Sequence, residues 1–101
     1  MNSFDKVYKL VSLIPKGKVT TYKQISQISD ISPRVVGFAL HANKNPETVP
    51  CHRVVNIKGQ LAKGYAFGGR ETQGNKLEEE GVSFLDEKTV DLSKSSYTFT
   101  K

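Results

Sequence analysis

The chain has 101 residues, of which 37% are hydrophobic and 25% are charged, and its formal net charge is +5. This length and composition suit one soluble globular domain, residues 1–101, with a single modest core. No apolar run approaches membrane-spanning length, and the first residues lack the basic and apolar regions of a signal peptide, so we expect no contact with membranes.

The first predicted element is a helix over residues 4–14, where apolar residues recur at helical spacing. Ser3 is available as its N-cap and Pro15 as its stop. A turn at 15–18 and a short extended stretch at 19–20 follow. We expect this helix to pack on the core.

Two further helices are predicted from capping signals. Thr21 and Gln24 have the spacing of a capping box, which predicts a helix over about 22–28. Ser32 is a suitable N-cap for a third helix over 33–42, which has a proline at its first position. Two short helices joined by a turn of about four residues resemble a helix-turn-helix, although many such helix pairs bind no DNA.

The third helix has an arginine and several small residues. Arg34 lies in its first turn, and the small residues Gly37, Ala39 and Ala42 leave parts of the helix surface without projecting side chains. Small residues let a helix approach another surface closely, and that surface is either a neighbouring helix or DNA. For Gly37 we favour packing against a neighbouring helix.

The second half of the chain begins with a strand-like stretch over 48–55, a turn over 56–60 and a glycine-rich loop over 61–69. A last helix is predicted over 70–80, and Gly81 is suited to end it. In the tail that follows, apolar residues indicate an extended edge segment, to which the sequence assigns no function.

Charge is distributed unevenly along the chain. Residues 6–70 hold eleven basic and two acidic residues, whereas residues 71–101 hold seven acidic and four basic ones. The basic part suits a polyanionic partner such as nucleic acid, but lysines that only aid solubility explain it equally well.

The basic part also contains the only cysteine, in the run Pro50-Cys51-His52-Arg53-Val54. Neighbouring cations favour the reactive thiolate, and the proline restricts the backbone before it, although a lone cysteine is more often a small buried hydrophobe. One cysteine cannot form an internal disulfide, which favours a reducing, cytoplasmic location. Cys51, His41 and His52 are too few to hold structural zinc, so we predict neither a metal nor a cofactor.

Several motifs together resemble the C-terminal, DNA-binding domain of the O6-alkylguanine-DNA alkyltransferases. The resemblance covers about residues 4–82 and leaves 83–101 as a tail of unknown role. Its motifs are Ile14-Pro15-x-Gly17-x-Val19-x-Thr21-Tyr22, Arg34-Val35-Val36-Gly37, Asn43, Pro50 to Val55, Tyr65 with Gly68-Gly69, and Leu77 to Gly81. The resemblance implies a mainly α fold with a short β-hairpin and a winged-helix-like helix-turn-helix.

The resemblance also implies a single-turnover reaction. Cys51 would attack the alkyl carbon on guanine O6 and keep the alkyl group as a thioether, with His52 as the base that accepts the thiol proton through a water. Glu80 would orient His52. The alternative is one solvated charge in a run of three, which only the motif match outweighs. Tyr22 would donate to the departing guanine, or it could be a core aromatic residue.

Further site residues follow from the resemblance. The resemblance implies that the third helix binds in the minor groove of DNA. Arg34 would fill the gap left by the extruded nucleotide, because O6 is out of reach inside the base stack. The DNA-contacting residues would be Arg34, Val35, Gly37, Ala39, Lys23 and Thr21. The base pocket would consist of Val54, Tyr65, Ala66 and Phe67, with the Val54 carbonyl accepting from the guanine amino group. Structural support would come from Asn43, Pro50 and Arg53. Lys16, Lys18 and Lys44 would add phosphate contacts.

The expected partner is double-stranded DNA containing O6-alkylguanine, bound by a monomer. We expect the chain to lack the smaller N-terminal domain of many members. Its compact form resembles the alkyltransferase-like proteins, which bind such lesions without repairing them and recruit excision-repair proteins. Those proteins usually carry tryptophan or alanine in place of the cysteine, so Cys51 favours a transferase. A helix-turn-helix regulator would explain the basic region but not the cysteine motif.

Overall fold

The computed structural model describes residues 2–62 and 64–99. Its first half contains three helices, α1 (Ser3–Val11), α2 (Tyr22–Ser29) and α3 (Pro33–Ala42). Helix α1 packs against both α2 and α3. The apolar faces of the three helices form one core cluster, which also contains Cys51 and Tyr65. The predicted mainly helical architecture is confirmed.

The local signals for α2 and α3 are confirmed. The Thr21 hydroxyl oxygen accepts from the Gln24 amide at 3.1 Å, and that of Ser32 accepts from the Val35 amide at 3.3 Å. Asp30 ends α2 in the left-handed region, at φ 60°, a conformation that Asp tolerates better than most residues. The three-residue connection between α2 and α3 gives the predicted helix-turn-helix.

Helix α1 differs from its prediction at both ends. Its N-cap is Asn2, whose side chain accepts from the Asp5 amide at 2.9 Å, and not Ser3. The helix ends at Val11, and the next residues form tighter turns in which the amide of Ile14 donates to the carbonyl of Val11 at 3.1 Å. Pro15 disfavours helical geometry at the residue before it, so the chain has already left the helix.

A two-stranded parallel sheet connects the helical half to the cysteine segment. Strand β1 (Thr20–Thr21) pairs with β2 (Val54–Val55), with Thr20 opposite Val54. The prediction of a continuous strand over 48–55 is therefore wrong, because Cys51–Arg53 forms a 3₁₀ turn before β2. This pairing holds the start of α2 beside the end of the cysteine turn.

The second half contains α4 (Gly69–Glu79), β3 (Phe84–Asp86), β4 (Thr89–Val90) and a short α5 (Leu92–Ser95). Strands β3 and β4 form the antiparallel hairpin. A second core cluster lies beneath these elements and consists of Val19, Val55, Leu61, Leu77, Val82 and Val90. The last predicted helix is confirmed to within one residue at each end.

The extended edge segment predicted for the tail is confirmed only in part, because Val90 lies in β4 and Ser96 forms a parallel bridge with Val19, whereas Leu92–Ser95 is helical. The tail also contains β3, and backbone hydrogen bonds join it to Val19, the residue before β1: the Val19 amide donates to the Ser95 carbonyl at 2.8 Å, and the Tyr97 amide donates to the Val19 carbonyl at 2.7 Å. The predicted turn at 56–60 is confirmed, and it packs on the tail. A β-carbon on Gly59 would come within 2.5 Å of the Val90 carbonyl oxygen, so this position requires glycine.

Over residues 2–62 and 64–99, none of the helices is long and apolar enough to span a membrane.

Candidate active site

The backbone before Cys51 makes a tight turn that fixes the position of the thiol. Pro50 has φ −75° and ψ 72°, and the Cys51 amide donates to the Val49 carbonyl at 2.7 Å, which is the geometry of an inverse γ-turn. The Arg53 amide then donates to the Pro50 carbonyl at 2.9 Å. Cys51 is 5% exposed at the start of this 3₁₀ turn.

Asn43 braces the same segment from the end of α3. Its side-chain nitrogen Nδ2 donates to the Val49 carbonyl at 2.9 Å, and its side-chain oxygen Oδ1 accepts from the backbone amide of Asn45 at 3.0 Å. The Val49 carbonyl thus accepts from both Asn43 and Cys51. The structure therefore gives Asn43 and Pro50 contacts that suit the predicted supporting roles.

Cys51 lies in the wall of a cavity of about 160 Å³, which we call the Cys51 cavity. Its lining comes from the start of α2, from α3, from the cysteine turn, from the loop residues 62 and 64–66, and from α4. The lining residues are Tyr22, Gly37, Leu40, His41, Cys51, Ala62, Gly64, Tyr65, Ala66 and Gln73. His41, Gly64 and Ala66 are exposed, so the cavity opens to the surface. A cavity beside a fixed thiol is a candidate substrate site.

A larger cavity, of about 680 Å³, lies between α4 and the β3–β4 hairpin. Its described lining residues include no cysteine, histidine or tyrosine. We place the candidate site at the Cys51 cavity because chemistry, and not size, distinguishes it.

Glu80 connects the two residues that follow Cys51. Its carboxylate accepts from His52 Nε2 at 3.0 Å, and from Arg53 Nε at 2.9 Å and Nη2 at 2.6 Å. Arg53 Nη1 also donates to the Ile14 carbonyl at 2.6 Å. These contacts suit the predicted roles of Glu80 in orienting His52 and of Arg53 in support.

The end of α4 holds Glu80 in place. Gly81 has φ 87°, its amide donates to the Glu78 carbonyl at 3.0 Å, and the Val82 amide donates to the Leu77 carbonyl at 3.1 Å. This is a Schellman motif, in which a left-handed residue after the helix satisfies its last carbonyls. Glu80 is the residue between the helix and this glycine, so its backbone is fixed.

The environment of His52 keeps it neutral. Burial, together with the charges of Arg53 and Lys76, lowers the pKa of His52 against the hydrogen bond and negative charge of Glu80, which would raise it. Burial would raise the pKa of Glu80, but the hydrogen bonds from Arg53 and His52 lower it overall. A neutral His52 that donates from Nε2 to a carboxylate has its lone pair on Nδ1. Nδ1 is buried and has no hydrogen-bond partner within the described ranges.

The two tyrosines of the Cys51 cavity have raised pKa values. Burial and then the nearby sulfur of Cys51 raise the pKa of Tyr22. Burial also raises the pKa of Tyr65, against the effect of a hydrogen bond from Lys76. Both hydroxyls therefore stay protonated near neutral pH, as a residue that donates to a departing group must be.

Gln73 is a site residue that the sequence reasoning missed. It is fully buried, its amide nitrogen donates to the carbonyls of His52 at 3.0 Å and Val54 at 3.1 Å, and its oxygen accepts from the Ala62 amide at 2.8 Å. Gln73 therefore joins the cysteine turn to the loop that covers it. The sequence contains one signal that could have identified Gln73, which is a polar residue one helical turn before Leu77 and therefore on the side of α4 that faces the core.

Lys76 was also missed. Its ammonium donates to the Tyr65 hydroxyl at 3.0 Å and lies 5.5 Å from the Tyr65 ring centroid and 5.9 Å from that of Phe67. Its positive charge also acts to lower the pKa of His52. Lys76 fastens the aromatic loop to α4, one turn from the end that carries Glu80.

The predicted base pocket is reproduced in part. Tyr65 and Ala66 line the Cys51 cavity, whereas Phe67 packs edge-on against Tyr65 at 5.8 Å between centroids and is not in the cavity wall. Val54 is fully buried and lies outside the wall, and its carbonyl accepts from Gln73. A carbonyl oxygen has two lone pairs, so the predicted contact of Val54 with guanine stays a prediction.

The predicted DNA-contacting residues fall into two groups. Arg34 and Lys23 are exposed, and Val35 and Gly37 are half-buried. Ala39 is completely buried in the core, so the prediction of a surface contact for Ala39 is wrong. Thr21 is also buried, and its side chain caps α2 and does not face solvent.

The prediction for Gly37 needs correction. A β-carbon on Gly37 would meet no atom within 4 Å, so packing against a neighbouring helix does not explain this glycine. Gly37 lines the Cys51 cavity, where a small residue leaves space for a ligand. The predicted phosphate contacts of Lys16, Lys18 and Lys44 stay predictions. Lys16 and Lys44 are exposed, and the Lys18 ammonium donates to the Lys94 carbonyl at 3.3 Å, which leaves it two further donors.

Comparisons with known proteins agree with the site. Residues 2–82 match the family described as 6-O-methylguanine DNA methyltransferase, DNA binding domain. The chain is 43% identical over 82 residues to alkyltransferase-like protein 1 of Schizosaccharomyces pombe, covering 78% of this chain and 75% of that protein. It is 46% identical over 76 residues to the methylated-DNA–protein-cysteine methyltransferase of Saccharolobus solfataricus, covering 75% of this chain and 48% of that protein. The chain thus spans about half the length of the methyltransferase relative.

Solved structures give the same result. The structure of S. pombe Atl1 in complex with damaged DNA containing O6-carboxymethylguanine matches with a TM-score of 0.83 and 33% identity, over 95% of this chain and 94% of that one. The O6-methylguanine-DNA methyltransferase of Pyrococcus kodakaraensis matches with a TM-score of 0.70 and 38% identity, over 81% of this chain and 47% of that one. This chain therefore belongs to the 6-O-methylguanine DNA methyltransferase family and carries its DNA-binding domain.

Proposed function

We propose that this protein binds duplex DNA containing O6-alkylguanine and transfers the alkyl group to Cys51 in a single turnover. The observation that carries the proposal is the thiol of Cys51 in a cavity wall, with His52 neutral and held by Glu80. A neutral imidazole can accept the thiol proton at the pH where the protein works.

The proton path starts at the sulfur. His52 Nδ1 carries the lone pair, is buried and has no hydrogen-bond partner within residues 2–62 and 64–99. Buried polar atoms normally have a partner, so we infer that a water molecule bridges the thiol and Nδ1. The proton passes from sulfur to His52, and Glu80 stabilises the resulting imidazolium.

The alkyl group then moves in one displacement. The thiolate sulfur forms a bond to the alkyl carbon as the bond from that carbon to guanine O6 breaks, and the electron pair leaves with the guanine. The guanine anion takes up a proton, for which we propose the Tyr22 hydroxyl as donor. The thioether on Cys51 is not readily reversed, so each protein chain acts once.

Access to O6 requires that the nucleotide leave the base stack. We infer that Arg34 on α3 fills the gap and that Lys16, Lys23 and Lys44 contact phosphates, and the exposure of all four side chains supports this. The relative bound to damaged DNA supports duplex DNA as the partner. Gly37 supports it too, since its missing side chain leaves space in the cavity wall.

A second candidate function is lesion sensing without repair. It is favoured by the match to alkyltransferase-like protein 1, because the chain covers 75% of that protein but 48% of the methyltransferase of Saccharolobus solfataricus. A sensor would hold the extruded base in the Cys51 cavity and leave the alkyl group in place. Its downstream partners would be excision-repair proteins.

A titration separates the two functions. Duplex DNA containing O6-methylguanine, in excess over protein, is digested after incubation and its restored guanine is counted. We expect one restored guanine per protein chain and none with Cys51→Ala. Tight binding with no restored guanine would contradict the transferase and support the sensor.

A further inference from the structure

Four large hydrophobic side chains are strongly exposed in the described residues. They are Leu13 at 56%, Phe38 at 54%, Ile57 at 58% and Leu85 at 68%. Phe38 differs from the other three because it is aromatic and lies on α3, the helix that contributes three residues to the Cys51 cavity. An exposed aromatic residue beside a functional cavity is a candidate contact for a partner.

Helix geometry places Phe38 on the open face of α3. With about 100° between successive residues, Gly37, His41, Arg34 and Phe38 share an arc of about 100°. Gly37 and His41 line the Cys51 cavity, and Arg34 lies between them and Phe38 on the arc. The opposite side of the helix is buried in the core.

Arg34 and Phe38 already interact. The Arg34 guanidinium lies 5.6 Å from the centroid of the Phe38 ring, within the range of a cation–π contact. Within the described ranges Arg34 forms no ion pair. The two side chains therefore present a planar cation and an aromatic ring together at the edge of the cavity.

We propose that Phe38 is a wedge that packs against a base step in the minor groove beside the extruded nucleotide. Proteins that bind the minor groove use apolar side chains in this way to hold a base step open, and aromatic rings stack on bases of any sequence. Arg34 would occupy the gap in the stack, and Phe38 would cover the neighbouring step. This inference rests on the duplex binding proposed above but not on alkyl transfer.

The test measures the affinity for duplex DNA containing O6-methylguanine in the Cys51→Ala background, where no transfer occurs. Adding Phe38→Ala is expected to weaken binding about tenfold, which corresponds to about 1.4 kcal/mol. Leu85→Ala, which removes a more exposed side chain from β3, is the matched control and is expected to leave the affinity unchanged. An affinity unchanged by Phe38→Ala, or lowered equally by Leu85→Ala, would overturn the wedge.

The outcomes separate this inference from the proposed function. If the Cys51→Ala parent itself fails to bind the lesion duplex, the proposed function fails as well. If the parent binds and Phe38→Ala has no effect, only the wedge is wrong. Because Phe38 is exposed, thermal unfolding of the variant is expected to match that of the parent, which excludes misfolding as a cause.

A double-mutant cycle distinguishes a wedge from a support for Arg34. If Phe38 contacts DNA itself, Phe38→Ala still weakens binding when Arg34 is already alanine. A 2-aminopurine placed in the base step beside the lesion should then show a smaller fluorescence change when Phe38→Ala binds than when the parent with Phe38 binds. If Phe38→Ala has no effect in the Arg34→Ala background, Phe38 only positions the arginine and the wedge is refuted.

Discussion

Replacing Glu80 by glutamine tests the organisation of the site, because a single carboxylate accepts three hydrogen bonds from His52 and Arg53. The glutamine amide has one acceptor oxygen, so its nitrogen must face an N–H group of Arg53 or His52. At least one charge-assisted hydrogen bond is lost, at about 1.5–3 kcal/mol. We expect a loss of about 2 kcal/mol in the free energy of unfolding, which lowers Tm by roughly 10 °C in a domain of this size.

The pH dependence of that loss has a definite sign. The pKa of Glu80 is lowered in the folded protein from its ordinary 4.5, so its stabilising effect is complete above about pH 4.5 and is lost as the pH falls through the folded pKa. The difference in stability between the protein and Glu80→Gln is therefore expected to narrow in acid. Urea denaturation at several pH values measures it.

Glu80→Gln should change the alkyl-transfer reaction in two ways, in its rate and in the pH dependence of that rate. Without the carboxylate, His52 is less well oriented, and we expect transfer to slow on the order of a hundredfold, the lower end of general-base effects. Glu80 also raises the pKa of His52, so the acid limb of the pH–rate profile should move to lower pH in Glu80→Gln. In the unaltered protein this limb should already lie below pH 6.5, the ordinary pKa of histidine.

Glu79→Gln is the matched control, since Glu79 is the exposed neighbour of Glu80 and the substitution removes the same charge. It is expected to change neither the stability nor the rate. An equal effect of the two substitutions, or a normal rate in Glu80→Gln, would refute the reasoning that the carboxylate acts through His52 and Arg53.

Three further predictions address neighbouring residues. Tyr22→Phe should slow transfer more than it weakens binding, and equal losses in single-turnover rate and affinity would make the tyrosine structural. Lys76→Met should slow transfer. Because the lysine charge lowers the pKa of His52, Lys76→Met should also move the acid limb of the pH–rate profile to higher pH, opposite to Glu80→Gln. Lys94→Met is its control, and an acid limb that Lys76→Met does not move would show that Lys76 is not part of the site. Lys23→Ala should reduce the slope of log affinity against log salt by about one, and an unchanged slope would place this lysine outside the interface.

Much of the fold could be predicted from sequence because its signals are local. The N-caps Thr21 and Ser32 and the glycine at 81 act within one helical turn, so α2, α3 and α4 were predicted closely. The shape of the cysteine segment is not local. Its 3₁₀ turn is braced by the bond from the Asn43 side chain to the Val49 carbonyl, and the β-branched pairs on either side of the turn, Thr48-Val49 and Val54-Val55, made the whole stretch resemble a strand.

The candidate site also contains residues that the sequence could identify and residues that it could not. The cysteine motif and Glu80 could be identified through the family resemblance, but Gln73 and Lys76 bind partners that lie eleven or more residues away in the chain. Side-chain spacing alone gave no reason to connect them with Cys51. Ala39 was assigned to the wrong face of α3 because a small residue suits both a core and a close approach to DNA.

The mass of the protein after reaction tests the central claim most directly. Protein incubated with excess duplex DNA containing O6-methylguanine should gain the mass of one methylene unit, and peptide mapping should place the added methyl group on Cys51. An unmodified protein recovered from a stable complex with the lesion would contradict the transferase and leave the protein as a sensor of O6-alkylguanine.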